Sequence, residues 1–270
     1  PRNFRIVTND FPQRISGPQP NLTGLADVRM SGSGAFSAEG LQVVKRSLPP
    51  EPVIVVDLRQ ESHLFVNGIA VSFRGENNAA NLHLSHDEVI TAELQEQESL
   101  SRRKSITFDH VSGKSAQVME PVVITSVRTE REVVEDAGLQ YFRLTVPDHF
   151  RAQNEEMDRF VEFVRTVPFG THLHFHCRAG QGRTSMLMIA RDIMANAKAV
   201  SLEDIVARQV LAGSQDLCSV EDKCEMSAKD MNARRRASLL QHFYDYAKDN
   251  DDEFQTSFSI WLQQNNRSVQ

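Results

Sequence analysis

The sequence predicts an α/β fold that is interrupted by a small β-rich unit. Three short runs at residues 53–58, 141–146 and 172–176 have the β-branched or alternating apolar composition of buried strands. Helical patterns follow or separate these runs, and that strand–loop–helix order is typical of a mainly parallel sheet covered by helices. From about residue 63 to residue 130 the pattern changes to short β-like pieces around one polar helix. We therefore expect an insertion there.

Each element rests on a local signal. Residues 154–167 carry apolar side chains at helical spacing and stop at Pro168, which cannot continue a helix. A second helix is predicted from about residue 184 to 195. A third is predicted from Ser201, where Ser201-x-x-Asp204 resembles a capping box. A long helix is predicted over residues 230–248.

The domain organisation follows from these elements. Residues 1–62 and 131–270 are predicted to form the main domain, and residues 63–130 the inserted small β-rich domain. Within the insertion, residues 69–73, 105–108 and 122–127 are predicted to be strands, and residues 87–99 to be a helix. The first 25 residues are rich in proline, asparagine and glycine, and we expect them to wrap the surface.

The most informative segment is H-C-R-A-G-Q-G-R-T at residues 176–184, directly after the third predicted strand. Its glycines let successive backbone N–H groups point inward and form a nest for a tetrahedral oxyanion. Arg183 supplies a planar two-pronged donor for the same anion. A helix should follow at once, and anions are favoured at a helix N-terminus. The segment therefore predicts a phosphate-binding loop that carries Cys177 as the nucleophile.

The thiolate of Cys177 is the attacking species, and a free cysteine is mostly protonated at neutral pH. The helix dipole, the loop amides and Arg183 all favour the thiolate. We expect His176 to order the loop and the Thr184 hydroxyl to donate to the sulfur. Low-molecular-weight phosphatases and arsenate reductases place such a loop near the N-terminus, and rhodaneses fit the arginine and the hydroxyl less well. Phosphoryl transfer is therefore favoured over sulfur transfer.

The leaving alkoxide needs a proton, and the candidate acid is Asp148. It follows Pro147 at the end of a predicted strand and precedes Cys177 by 29 positions, with one helix and one strand between them. An aspartate after proline is also a common turn former. His149 next to it is interpreted as a phosphate contact, as a residue that shapes the loop, or as a plain surface histidine.

Composition and charge limit the other classes of protein to which the chain could belong. A net charge of −6 argues against nucleic acid as the main partner, and no apolar run is long enough to span a bilayer. Three cysteines are too few for a disulfide scaffold. We expect no metal and no cofactor. The histidines at 172, 174 and 176 are predicted to point to both faces of their strand and to support packing. The chain begins at Pro1, which indicates a processed or trimmed product.

With the loop and the acid in hand, the chain resembles the bacterial protein-tyrosine-phosphatase-like phytases, the cysteine phytases that act on myo-inositol hexakisphosphate. The runs D-L-R-Q-E-S-H at residues 57–63 and the loop itself are the specific parts. The resemblance implies a tyrosine-phosphatase-like domain that carries a small inserted β-barrel-like domain. It extends over residues 1–5, 31–37, 55–63, 67–69, 141–143, 148–149, 173–184, 254–256 and 261–262.

The resemblance also implies roles. Cys177 would be the nucleophile, Arg183 the phosphate clamp and Asp148 the general acid, with the loop residues cradling the phosphate. Arg236 stands at a position that is usually lysine. The sequence departs from the family at Arg178 and Gln181 in the loop, and at residues 150–151 after the acid. The implied substrate-binding residues are Arg178, Ala179, Gly180, Gln181, Gly182, His149, Arg5, Asp57, Lys229 and Arg236.

Several alternatives stay open at this point. Arg178 suits a flanking phosphate of a polyphosphate substrate, or it anchors the loop through an ion pair. A phosphatase for phosphotyrosine or phosphoinositides is the nearest rival function, and a non-catalytic inositol-phosphate-binding module is a more distant one. Relatives of this type are exported or delivered into host cells, so both locations are expectations. The sequence does not indicate an oligomeric state.

Overall fold

The computed structural model describes residues 1–11, 18–75, 78, 80–112, 115–220 and 225–269. The strands are β1 Arg5–Ile6, β2 Met30–Gly34, β3 Val53–Asp57, β4 His63–Val66, β5 Ile69–Ser72, β6 Ser105–Ile106, β7 Asp109–Ser112, β8 Ser115–Val118, β9 Val122–Val123, β10 Val127–Thr129, β11 Gln140–Arg143 and β12 His172–Cys177. The helices are α1 Ala38–Ser47, α2 His86–Ser101, α3 Glu130–Asp136, α4 Asn154–Thr166, α5 Gly182–Asn196, α6 Leu202–Leu211, α7 Ala228–Asp249 and α8 Phe258–Gln264.

A five-stranded sheet forms the centre of the molecule, in the order β1-β2-β12-β3-β11. β12 runs parallel to both β2 and β3, and β3 runs parallel to β11. The side chains of β3 alternate between two hydrophobic clusters, one built with α1 and α3 and the other with α4 to α8. Helices therefore cover both faces, and the predicted α/β fold is confirmed.

The local signals set the helix ends. Ser201 accepts a hydrogen bond from the Asp204 amide at 3.1 Å and caps α6. α4 ends at Thr166, two residues before Pro168. The predicted strand over 141–146 is shorter, because Leu144 donates a last ladder bond to Asp57 (2.8 Å) and the Val146 amide then turns back to Leu144 (3.2 Å).

Two expectations were wrong. The first 25 residues do not only wrap the surface, since Arg5 and Ile6 form β1 and pair antiparallel with β2 at the sheet edge. The three strand histidines do not point to both faces. His172 and His174 both contact the Ser31 hydroxyl (2.9 and 2.8 Å), and the His174 and His176 rings stack. Residues two apart in a strand share one face.

The segment 63–130 lies outside the central sheet. It contains the three-stranded sheet β10-β4-β5, the pairs β6-β9 and β7-β8, and α2. Leu64, Val66 and Leu100 form a small hydrophobic cluster of its own. The barrel-like closure and the boundaries 63 and 130 stay predictions.

Among the described helices, none is long and apolar enough to cross a membrane. Cys218 is a free thiol, whereas Cys224 lies outside the described residues.

Candidate active site

The loop after β12 is shaped by Gly180. This residue has φ +74°, and a Cβ built on it would lie 2.3 Å from the Gly34 nitrogen at the end of β2. Any side chain there would clash with backbone in addition to being strained. The loop therefore packs directly on the neighbouring strand, which fixes its position at the carboxyl end of the sheet.

The thiol of Cys177 lies inside this loop with 3% of the residue exposed. Its Sγ accepts hydrogen bonds from the Gly180 amide (3.3 Å) and from the Thr184 hydroxyl (3.1 Å). Gln181 precedes α5 and makes no side-chain capping bond, so the helix N-terminus keeps its anion-binding capacity beside the sulfur. The predicted contact between Thr184 and the sulfur is present.

The back of the loop is held by residues of the N-terminal segment. Asn3 donates to the Ala179 carbonyl at 2.8 Å, and Arg5 donates to the Gly180 carbonyl at 2.7 Å and to the Ser185 hydroxyl at 3.3 Å. Because a trans peptide directs its C=O and N–H to opposite sides, the Ala179 carbonyl bond turns the Gly180 N–H toward the thiol. Burial lowers the pKa of Arg5 to about 10. Its predicted substrate contact stays a prediction.

Arg183 is buried and held by a carboxylate. Its Nη1 and Nη2 contact the two oxygens of Glu61 at 2.7 and 3.0 Å, and Nη1 also donates to the Val146 carbonyl at 3.1 Å. Burial would raise the pKa of Glu61, but Arg183 and Arg59 outweigh it and hold that pKa well below its usual range. The guanidinium is thus fixed in a bidentate fork beside the loop.

Asp148 reaches this pair from the segment after β11. Its Oδ1 lies 3.2 Å from Arg183 Nη2, and its Oδ2 accepts a 2.7 Å hydrogen bond from Asn78 Nδ2. The next residue, His149, has φ +68°, and its carbonyl accepts from Arg236 Nη1 at 3.2 Å. The structure therefore brings Asp148 and Arg183 together as predicted, and places Arg236 of α7 next to them.

Asp57 lies beneath the loop and is fully buried. It accepts from the Tyr141 hydroxyl (2.8 Å) and the Arg59 amide (3.0 Å), and it lies 3.2 Å from Arg143 and 3.1 Å from His63. Burial would raise its pKa, but His63 and Arg143 hold it well below the usual range. Both oxygens of Asp57 are engaged by these protein groups, and its predicted substrate contact stays a prediction.

His176 points into the same buried cluster. Its Nε2 lies 2.5 Å from Glu130 and 3.9 Å from Asp57, and the ligand-type atoms of these three residues lie within 4.8 Å of one another. Such a set has the chemistry of a cation site. However, His63 lies 3.2 Å from Glu130, and Arg143 contacts Asp57, so positive side chains already neutralise both carboxylates. We assign the cluster to support of the loop.

The cluster predicts a pH dependence of stability. Burial and Arg59 would lower the pKa of His63, but the Asp57 and Glu93 carboxylates raise it to about 9. Because the pKa of His63 is higher in the folded than in the unfolded state, binding of its proton stabilises the fold. This stabilisation is complete below a pH of about 6.5, the unfolded pKa, and is lost as the pH rises through 9. We expect the free energy of unfolding in urea to fall by on the order of 3 kcal/mol over this range.

The control for this prediction is His63→Gln, which has no imidazole to titrate. Its free energy of unfolding should change much less between pH 6.5 and pH 9.5 than that of the unchanged protein. Equal slopes in the two proteins would contradict the assignment of the proton to His63.

The loop residue Arg178 and the nearby Arg74 add positive charge to the site. Arg178 is half-buried, and within the described residues its guanidinium forms no ion pair. Burial lowers its pKa, and the nearby charge of Arg74 lowers it further. The Arg74 Nε is buried and has no hydrogen-bond partner in the described part of the chain. Lys229 lies exposed in the first turn of α7, and its substrate contact stays a prediction.

Sequence reasoning missed roles for Glu61, Asn78 and Glu130. Glu61 was visible only as part of the run at 57–63, and nothing local marks it as the partner of Arg183, which follows 122 positions later. Asn78 and Glu130 belong to or adjoin the segment interpreted as an insertion, where no signal pointed to the loop. All three act through contacts that are distant along the chain.

The comparisons with known proteins agree with this geometry. The family model described as "PTPlike_phytase: Inositol hexakisphosphate" matches residues 56–195, just over half of the chain. The chain belongs to the PTP-like phytase family. The matched range includes Asp57, Asp148 and the whole loop, so the resemblance seen in the sequence is confirmed.

Similar solved structures cover nearly the whole chain. The tandemly repeated protein tyrosine phosphatase like phytase from Mitsuokella multacida has TM-score 0.92 and 36% identity over 99% of this chain and 46% of that chain. The Mitsuokella PTP-like myo-inositol phosphatase in complex with myo-inositol-(1,3,4,5)-tetrakisphosphate has TM-score 0.91, 35% identity and the same coverage. A PTP-like phytase from Bdellovibrio bacteriovorus has TM-score 0.77 and 33% identity over 97% of this chain and 90% of its own.

A curated relative extends the comparison. "Effector protein hopD2" from Pseudomonas syringae pv. tomato is 32% identical over 96% of this chain and 56% of its own length. The chain therefore spans about half the length of this relative and of the Mitsuokella chains.

Proposed function

We propose that the protein is a cysteine-dependent phosphomonoesterase that hydrolyses myo-inositol hexakisphosphate and lower inositol polyphosphates. The observation that carries the proposal is Cys177 Sγ held by the Gly180 amide and the Thr184 hydroxyl at the N-terminus of α5, with Arg183 and Asp148 beside it. Family membership supports the reaction class. The inositol tetrakisphosphate bound to the similar Mitsuokella structure supports the substrate class.

In the first step the Cys177 thiolate attacks phosphorus in line. The bond from phosphorus to the leaving oxygen breaks, and that oxygen takes a proton from Asp148. In the second step the Asp148 carboxylate accepts a proton from water, whose oxygen attacks phosphorus and expels the thiolate. The loop amides and Arg183 stabilise the equatorial oxygens in both steps. To bind the phosphate before the first step, Arg183 must exchange its contact with Asp148 and part of its contact with Glu61 for the phosphate oxygens.

The acid assignment predicts that Asp148→Asn slows hydrolysis of inositol hexakisphosphate by roughly 100-fold or more, because general acids contribute that much. The asparagine can still accept from Asn78, but its amide N–H is not acidic enough to protonate the leaving oxygen. Single-turnover phosphate release measures the effect. Asp158→Asn on α4, whose carboxylate contacts Ser259 far from the loop, should leave the rate unchanged. A full rate in Asp148→Asn would assign the acid to another residue.

The positive charge around the loop favours a substrate with several phosphates. Arg178 and Arg74 lie near each other, and neither forms an ion pair with the described residues. A flanking phosphate would give their guanidinium groups a direct partner. We expect Arg178→Ala to raise KM for inositol hexakisphosphate by about 10-fold, since each 1.4 kcal/mol of lost binding is tenfold. KM for a simple aryl monophosphate should change little. Equal changes for both substrates would contradict this role.

The proposal is tested by measuring phosphate release from inositol hexakisphosphate, a phosphotyrosine peptide and a phosphoinositide at matched concentrations. We expect the highest kcat/KM on inositol hexakisphosphate. A higher value on the peptide or the lipid would establish the rival phosphatase function instead. Binding of inositol phosphates without release of phosphate would establish a non-catalytic module.

We also propose that the protein acts after delivery from a bacterium into a host cell. The support is its likeness to the relative named "Effector protein hopD2". Export for nutrient phosphate is the alternative location. A translocation reporter fused to the full natural protein distinguishes them, because signal in the host cytosol supports delivery and signal confined to the medium supports export.

A further inference from the structure

We infer that Asn78 is a positioning residue for the general acid, contributed by the segment between β5 and α2. The inference rests on the proposed function, because it takes Asp148 as the acid. It starts from a contact outside the predicted site: Asn78 Nδ2 donates to Asp148 Oδ2 at 2.7 Å and to Glu61 Oε1 at 3.2 Å. An amide nitrogen carries two protons, so both bonds form at once.

These bonds close a ring of four side chains. Glu61 binds Arg183 through both oxygens, Arg183 Nη2 lies 3.2 Å from Asp148 Oδ1, and Asn78 joins Asp148 back to Glu61. The members come from four places: α5, the segment after β11, the turn after β3, and the segment after β5. Asn78 alone ties the acid to the segment 63–130 within this ring.

The chain holds Asn78 in place by several means. It is 2% exposed and has φ +62°, a backbone conformation that asparagine tolerates better than most residues. A buried amide must keep hydrogen-bond partners, so its rotation away from the two carboxylates is costly. The Asp148 side chain is therefore held in one orientation toward the loop before substrate arrives.

The consequence is specific to the step that needs the acid. When Arg183 moves from Asp148 to the substrate phosphate, Asn78 remains as the side-chain donor that keeps the Asp148 carboxyl group aimed at the leaving oxygen. Loss of this donor should misplace the acid, and misplacement by about 1 Å costs roughly 100-fold in rate. The rate of the first step should hardly depend on the Asn78 amide when the leaving group departs without a proton.

The test uses Asn78→Gly, since glycine adopts a positive φ without strain and the change removes only the side chain. The matched control is Asn81→Gly. Asn81 also has positive φ (+68°), but its Nδ2 donates to the Gln60 carbonyl (3.2 Å) and the Ser62 hydroxyl (2.9 Å), away from the acid. A second variant, Asn78→Asp, keeps the size and replaces the donor with an acceptor. Circular dichroism confirms that each variant is folded.

The readout is kcat/KM, which covers the steps up to release of the leaving group and leaves out the later hydrolysis step that Asp148 also serves. It is compared between phenyl phosphate, whose leaving group is a strong base, and 4-nitrophenyl phosphate, whose leaving group is a weak base. We expect both Asn78 variants to lose about 10- to 100-fold on the first and less than about 3-fold on the second. Asn81→Gly should change both equally. Equal losses on both substrates in the Asn78 variants, or no loss, would overturn the inference.

Asp148→Asn in the same assay separates this inference from the proposed function. If it shows the leaving-group-dependent loss and Asn78→Gly does not, the positioning role alone fails. If Asp148→Asn shows none, the acid assignment itself fails. Both aryl esters are independent of inositol phosphates, so the comparison does not depend on the substrate class.

Discussion

Cys177→Ser is expected to abolish phosphate release while leaving the binding of inositol phosphates intact. A serine hydroxyl is far less acidic than a thiol, so the group that the Gly180 amide and Thr184 stabilise as an anion is no longer available. Removal of a nucleophile from another enzyme class lowers kcat by about 10⁶-fold. The loop amides and Arg183 are unchanged, so the anion site should persist.

The measurement pairs phosphate release with isothermal titration of inositol hexakisphosphate. Cys218→Ser is the matched control, because its free thiol lies on the segment after α6 and is not in the loop. Turnover in Cys177→Ser within 10-fold of the unchanged protein would contradict the nucleophile assignment. Loss of binding together with turnover would instead show that the substitution disrupts the loop.

The catalytic loop could be predicted because its chemistry is local. A cysteine, two glycines, an arginine and a hydroxyl lie within nine consecutive residues, and the strand and helix at either side carry their own periodic signals. Gly180 could be recognised as part of this loop pattern. The steric reason for a glycine there could not, because it comes from the backbone of Gly34 on the neighbouring strand. Asp148 was found because it follows a predicted strand that comes one helix and one strand before the loop.

The contacts that hold the loop in place could not be predicted, because they depend on strand register and join residues that are distant along the chain. His176 pairs with Asp57 across β12 and β3, and only that register places it next to Glu130. The pairing of β1 with β2 was missed because a two-residue strand has no periodicity. Asn78 lies in a segment whose composition indicates a turn, and nothing local indicates that its amide reaches Asp148.

Glu61→Gln is expected to destabilise the fold by about 3–5 kcal/mol, the cost of removing one partner from a buried ion pair. Glu61 is fully buried and contacts both Arg183 and Arg59 (Nε at 2.9 Å). Glutamine keeps the volume, but it removes the charge that neutralises two guanidinium groups and turns an N–H₂ group toward one of them. Urea unfolding at pH 7 measures the loss, and a midpoint shift with unchanged m-value identifies it as stability.

Glu98→Gln is the matched control. Glu98 pairs with Arg102 one turn later on α2, with both side chains largely exposed, and such surface pairs contribute less than about 1 kcal/mol. If Glu61→Gln were as stable as this control, the carbonyl contacts of Arg183 and its contact with Asp148 would be enough to hold it. We expect Glu61→Gln to weaken activity less than Cys177→Ser does, because Arg183 would remain beside the loop with only its orientation relaxed. This expectation assigns the Glu61 carboxylate mainly to keeping Arg183 in place before the phosphate binds.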